Sequence, residues 1–547
     1  LRLHFTSDSV LLLYTWGRGR EIHDTLALRA GGTRNRVRIN DRVWPSNVFM
    51  GVSLIPGSEK EVVARVHDSV LTLEERYPVA VSQGEGAVRS TATIRLAADG
   101  ECISYTVARS TRPKETPLSY ILKREGLNGA YVMQIEDEWE VTGKLPLQAL
   151  LLSLQGLANT DSARLYFLYP PNWPFTFTQS VYDFYRTRRN FTFTKLNSAE
   201  EALKRLGACA RGYVIWDRNV RTSLGVAFTI AGLERALVVD DSLAPLAERA
   251  GLKQVADLRG RFGGKSDAEI YAWAWREYGA RCNKELIVWL GGEAGRVMKP
   301  SIADYGISRR AFFTDLSARP SDTAEYALAD RILDGMHPTA VVMGWHSYAK
   351  DLEEEFVTLT SRHGLVVEGL NTLPNNSFSA HVPLSRGFVF RNNHHLKPAR
   401  TPAPADKVYI SCIQTDGMGL GAWLEPGRGT IPYAWEVTMN WVWMAPAMLE
   451  YFYTMATPND YLIGCLSGPG YMYPKAVPPA LLPGLIARAY TMMKQLDLNV
   501  FEIMDYSEGR TVEGNTELAK NVVQAYFDGM PGVVGFVNGY APGFTFT

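Results

Sequence analysis

From Leu1 to about Gln134, apolar and polar positions alternate with period two, as in Glu61-Val62-Val63-Ala64-Arg65-Val66-His67-Asp68 and Ala92-Thr93-Ile94-Arg95-Leu96. Such alternation suits strands with one buried and one wet face. Asp99-Gly100 between two runs is a two-residue hairpin signal, because both residues tolerate positive φ. The spacing predicts a β-rich, sandwich-like domain over residues 1–140. After Gly143 short apolar runs alternate with helical stretches: Arg164–Leu168, Gly212–Trp216, Ala236–Val239, Leu286–Leu290 and Thr339–Met343 read as strands, and Ala199–Arg205, behind Asn197-Ser198, as a capped helix. This predicts a mostly parallel sheet flanked by helices, in one or two α/β subdomains over 141–391.

Residues 392–405 are proline-rich and aperiodic, which marks a linker or strap. Its His394-His395 pair is a poor metal site, since neighbours in an extended segment point to opposite faces. Over 406–547 strands return at Val408–Gln414, Gly429–Trp435, Tyr461–Leu466, Val500–Met504 and Val533–Val537. Asp416, Glu436, Ser467, Asp505 and Asn538 stand at or just beyond their ends. Polar residues gathered at strand C-termini suggest a (β/α)-barrel-like domain, although the remaining length is short of the roughly 250 residues of a full barrel. The domain is therefore expected to be an incomplete barrel or a smaller open sheet.

Composition narrows the function. Lys and Arg number 57 and Asp and Glu 57, so the chain carries no cationic surplus for nucleic acid. The best candidate for a membrane helix, Leu145 to Leu157, is too short to span a membrane. The chain opens at Leu1 without a charged-then-apolar leader, and reads as a processed chain or fragment with any signal peptide out of view. Five scattered cysteines give no C-x-x-C pair, hence no zinc or redox motif. Cys412 and Cys465 read as buried small hydrophobes. Sequons at Asn190 and Asn375 permit secretion without arguing for it. No phosphate-cradling glycine loop follows a strand, so no dinucleotide cofactor is expected, and neither an HExxH motif nor a G-x-S-x-G elbow is present.

The most specific string is Ser467-Gly468-Pro469-Gly470-Tyr471-Met472-Tyr473-Pro474. Its glycines free the backbone and Pro469 stiffens the turn. Tyr471 and Tyr473, two apart, offer flat apolar faces with hydroxyl tips, which suit a sugar ring; the plainer alternative is a packed loop with two structural tyrosines. The string resembles the signature of the GxGYxYP family of putative glycoside hydrolases. The resemblance extends through Thr415-Asp416-Gly417, Gly427-Arg428-Gly429, Trp435, Ala445-Pro446 and Pro458-Asn459-Asp460, and upstream through Gln155-Gly156-Leu157, Arg211-Gly212-Tyr213 and Gly344-Trp345, over roughly 145–547. It implies a secreted protein, extracellular or periplasmic, acting on a glycan or polysaccharide. It implies neither a mechanism nor a cofactor. Family members commonly carry an acid and an amide after the Asp-Gly, where this chain has Met418-Gly419.

Glycoside hydrolysis needs two carboxyls flanking a cleft, one protonated and one ionised. The candidates are Asp416, Glu436 and Asp505, with Glu436 as acid because Trp435 could desolvate it. Ser467, Gly470, Tyr471, Tyr473, Trp435 and Arg428 are the candidate substrate-binding residues, and no metal ligand is assigned. The plainer alternative for each acid is a helix cap or an ion pair with Arg428 or Arg488. The alternative function is a non-catalytic carbohydrate-binding or extracellular assembly protein, favoured by the Met418-Gly419 departure and by many aromatic residues able to serve self-assembly.

Overall fold

The computed structural model describes residues 129–170, 178–291, 300–369, 374–394, 406, 408, 410–417, 422–509 and 516–539 in full, and only the backbone of the strands within 1–128. The chain forms two compact units, Leu1–Gly126 and Leu127–Thr547.

The first unit is antiparallel. Arg2–Thr6, Ser9–Leu13 and Leu26–Leu28 form one three-stranded sheet. In a second, seven-stranded sheet, Glu59–His67, Val70–Val81, Gly84–Leu96 and Cys102–Ser110 are successive neighbours. The connection carrying Asp99 and Gly100 lies outside the described residues, but the strands it joins pair antiparallel. The strand Asn128–Gln134, read from sequence as the end of this β-rich region, instead lies at the centre of the next sheet, with Leu165–Leu168 and Phe191–Leu196 parallel on either side. Period two identifies a strand but not its partner, and here both neighbours come from later in the chain.

That three-stranded pattern, with the first strand in the middle, occurs three times. Gly212–Ile215 lies between Ala236–Val239 and Lys253–Asp257. Leu286–Leu290 lies between Phe312–Thr314 and Val341–Trp345, and Val366–Glu368 adds a fourth strand. All pairs are parallel, which requires the intervening helices as crossovers. The first helix of each repeat, Leu145–Ala158, Thr222–Glu234 and Ala303–Ser308, packs against the other two. Burial on nearly every side explains why Leu145–Leu157 carries no charged residue on any face. Gly156 and Gly232 give the room, since a Cβ on Gly156 would strike Ile307 and one on Gly232 would meet the backbone of Ile307 and Arg310, whereas Gly306 lets its helix lie against Val288 and Phe313 of its own sheet.

These helices also finish the sheets. Ser153 Oγ accepts from the Val238 amide at 2.9 Å, and Thr229 Oγ1 accepts from the Phe313 amide at 3.0 Å. The matching edge at Phe167 is closed by the Asn375 side chain, which accepts from its N–H and donates to its C=O. Asn375 is 1% exposed, so the sequon there is consumed by this contact and cannot carry a glycan in the folded chain. Asn190 is exposed.

The C-terminal region holds five parallel strands shorter than their sequence runs: Ile413–Gln414, Tyr433–Glu436, Asp460–Ile463, Val500–Ile503 and Gly535–Asn538. They neighbour one another in chain order, with a single bridge from Gly464 to Phe501 joining the third to the fourth. Consecutive order is what a (β/α) barrel has, but among the described residues the sheet stays open. At the start of the predicted linker Asn392 strengthens this sheet, donating to the Leu462 carbonyl at 2.7 Å and accepting from its amide at 2.9 Å.

Candidate active site

The C-terminal ends of these strands place acids at one edge. Asp416 follows the first strand, Glu436 ends the second, and Glu502 lies in the fourth; Glu368 ends the last strand of the third repeat. Cys465, just beyond the third strand, marks where they converge. Burial and then Glu436, Glu502, Glu368 and Asp416 raise its thiol well above the ordinary range. Among the described residues no cluster of His, Cys, Asp and Glu has the arrangement of a metal site.

The four carboxyls differ in environment. Glu436 is 1% exposed and neither carboxylate oxygen has a hydrogen-bond partner among the described residues. Burial, then Glu502 and Asp416, push its pKa well up; the nearby Asp416 and Gly417 amides oppose this without reaching hydrogen-bond geometry. Burial also raises Glu502, to about 7, against the Leu466 amide that donates to it at 2.8 Å, and Asp416 raises it further. Glu368 is raised by burial to about 7, opposed by Asn440, whose Nδ2 donates to it at 2.9 Å. Asp416 is the solvent-exposed member. Protein packed on its inner side, and then Glu353, still raise it to about 6. Its backbone is left-handed, φ 65°, a strained conformation for a residue other than glycine.

The structure thus brings Asp416 and Glu436 together and adds Glu502 and Glu368, which the sequence reading missed. Glu502 sits inside an apolar strand, and that interior acid was the available signal. Asp505 is placed differently: its carboxylate accepts from the Lys475 amide at 2.7 Å and the Ser507 amide at 2.9 Å, and Lys475 Nζ lies 3.8 Å away. It holds a loop and is not among the groups that shift Glu436, Glu502 or Asp416. Trp435 does not shield Glu436 either. Its ring lies on the other face of the strand, with Nε1 donating to Asp460 at 2.8 Å, and Arg428 pairs with the same Asp460. Arg488 donates to the Thr339 carbonyl and, among the described residues, to no acid.

The signature loop also departs from expectation. Tyr471 is 4% and Tyr473 0% exposed, so neither ring is open to a sugar. Tyr471 instead stacks on Trp345 and donates its hydroxyl to Glu353 at 2.6 Å, with the Tyr473 hydroxyl 3.1 Å away. The Tyr471 backbone exchanges two hydrogen bonds with Val367, each 2.8 Å, so the loop is clamped to the strand that ends in Glu368. Gly470 permits that approach, because a Cβ there would lie 3.0 Å from Asn440 Nδ2 and 3.1 Å from the Val367 carbonyl. Ser467 is fully buried, its hydroxyl bonded to the Met504 carbonyl and amide. Neither of two open grooves elsewhere, about 490 and 470 Å³, is lined by this loop. Cys465 is buried as expected, whereas Cys412 is half-exposed. Met418, Gly419 and His395 lie outside the described residues.

Four models of one family match consecutive stretches of the chain. The first, second and third GxGYxYP N-terminal domains match residues 130–207, 210–282 and 284–381, one for each α/β repeat, and the GxGYxYP putative glycoside hydrolase C-terminal domain matches 406–546. The chain belongs to the GxGYxYP family. Its family region begins at 130, earlier than the signature residues suggested, and includes the strand Asn128–Gln134 almost entirely. A solved structure from Bacteroides thetaiotaomicron VPI-5482, described as a putative hydrolase, is similar at a TM-score of 0.59 and 16% identity, covering 75% of this chain and 76% of that one. At that identity the likeness concerns the fold. No curated protein matches the chain.

Proposed function

We propose that this GxGYxYP chain hydrolyses a glycosidic bond, with Glu436 donating the proton to the leaving oxygen and Asp416 acting as base or nucleophile. The observation that carries the reading is Glu436 itself: a buried carboxyl without a hydrogen-bond partner among the described residues, its pKa pushed well up by its surroundings, beside the exposed Asp416, which is raised to about 6. Glycoside hydrolysis uses two carboxyls whose environments push their pKa values apart. Glu502 acts through Glu436, since a second buried carboxyl keeps the proton on the pair.

A glycan panel scored for both cleavage and retention tests the proposal. Cleavage is expected, with activity rising as the pH passes about 6 and Asp416 ionises, and falling again only at higher pH when Glu436 loses its proton. Glu436→Gln should reduce turnover by at least about a hundredfold while retention persists. Unchanged turnover in Glu436→Gln would remove it from the mechanism. A non-catalytic glycan binder is the second reading, favoured by the near-complete burial of Glu436 and Glu502. Retention without cleavage on any glycan would establish it.

A further inference from the structure

The buried signature tyrosines leave the proposed site in need of another sugar-binding face, and the loop after Glu436 offers one. Trp443 lies in the short helix Trp441–Met444, seven residues beyond Glu436, and is 40% exposed. Its ring is fixed: Nε1 donates to Asn440 Oδ1 at 3.0 Å. The same Asn440, fully buried, donates to Glu368 at 2.9 Å. One side-chain amide therefore joins an exposed indole to a carboxyl of the acid cluster, and it packs against Gly470 of the signature. The turn leading to Trp443 also borders Asp416, since a Cβ on Gly417 would meet the Thr438 hydroxyl.

We propose that Trp443 is the stacking platform for a pyranose ring of the glycan substrate, a specificity-determining contact at the rim of the acid cluster. An indole held by its N–H presents one flat apolar face at little entropic cost, which fits the C–H face of a sugar. The proposal rests on the glycosidase or glycan-binding reading of the site. Of the other exposed aromatic residues, Phe527 at 67% lies in the helix Lys520–Gly529, outside this hydrogen-bonded chain, and serves as a control.

The test is retention and steady-state cleavage on the polysaccharide panel by the full chain and by Trp443→Phe, Trp443→Leu, Trp443→Ala and Phe527→Ala, each checked by thermal melting. Trp443→Ala and Trp443→Leu should weaken retention and raise KM about tenfold or more, with kcat changed less. Trp443→Phe, which keeps a flat ring, should stay within about threefold, and Phe527→Ala should match the parent. Leucine keeps the apolar bulk, so its loss separates stacking from packing even if alanine melts early. Parent-like retention and KM in Trp443→Leu would overturn the proposal while leaving the Glu436 reading intact. A parent protein that neither retains nor cleaves any glycan would overturn both.

Discussion

At the residue scale, the acids of this site are set by burial more than by pairing. Glu368 and Glu502 rise from the ordinary glutamate value of 4.5 to about 7, so the folded state binds their protons more tightly than the unfolded chain. The stability they contribute is complete below about 4.5 and is lost as the pH climbs through about 7. The melting temperature should therefore fall between pH 5 and 8, by an amount equivalent to about 1–3 kcal/mol for each group. Glu502→Gln, neutral throughout and still able to accept from the Leu466 amide, should flatten that fall in a melting series across pH. An unchanged slope would show that Glu502 is not protonated in the fold.

At the scale of elements, the signature is a clamp between a loop and a strand. Leu466 and Ser467 both adopt left-handed backbone, φ 62° and 69°, at a cost of about 1–2 kcal/mol each. The bonds from Ser467 Oγ to Met504 and from the Leu466 amide to Glu502 hold them there. Ser467→Ala should destabilise by about 1–3 kcal/mol in urea unfolding, because the buried Met504 groups lose their partner. Gly470→Ala should cost about 1–3 kcal/mol by forcing Asn440 or Val367 to move. It should also lower the proposed glycan cleavage, since Asn440 holds both Glu368 and Trp443. A Gly470→Ala protein with parent stability and turnover would show that the approach is not tight.

At the scale of the whole chain, the Leu127–Thr547 unit is organised by three buried helices shared among its repeats. Each repeat closes a strand edge of another, so none is expected to unfold by itself. In a fragment beginning at Leu127, Ser153→Ala, which strands the Val238 amide, should lower stability by about 1–3 kcal/mol and leave one cooperative transition. Two transitions would mean that the repeats are energetically separate. A fragment beginning at Leu127 should fold with parent-like melting of this unit, since it contains all three helices and the acid cluster.

By itself the sequence determined which segments are strands and helices, because period, capping residues and apolar runs act locally: Ala236–Val239 and Leu286–Leu290 fall where the pattern put them, and Ser198 caps its helix by accepting from Glu201. It also singled out Asp416 and Glu436, whose positions at strand ends are a property of the chain. The partners of each strand were decided by tertiary structure, as Asn128–Gln134 shows, because a strand carries no mark of which later segment will lie beside it. So were the roles of Asp505, Trp435, Tyr471 and Tyr473. A carboxylate or a ring reads the same in sequence whether it faces water, a backbone amide or another ring, and only packing settles which contact forms.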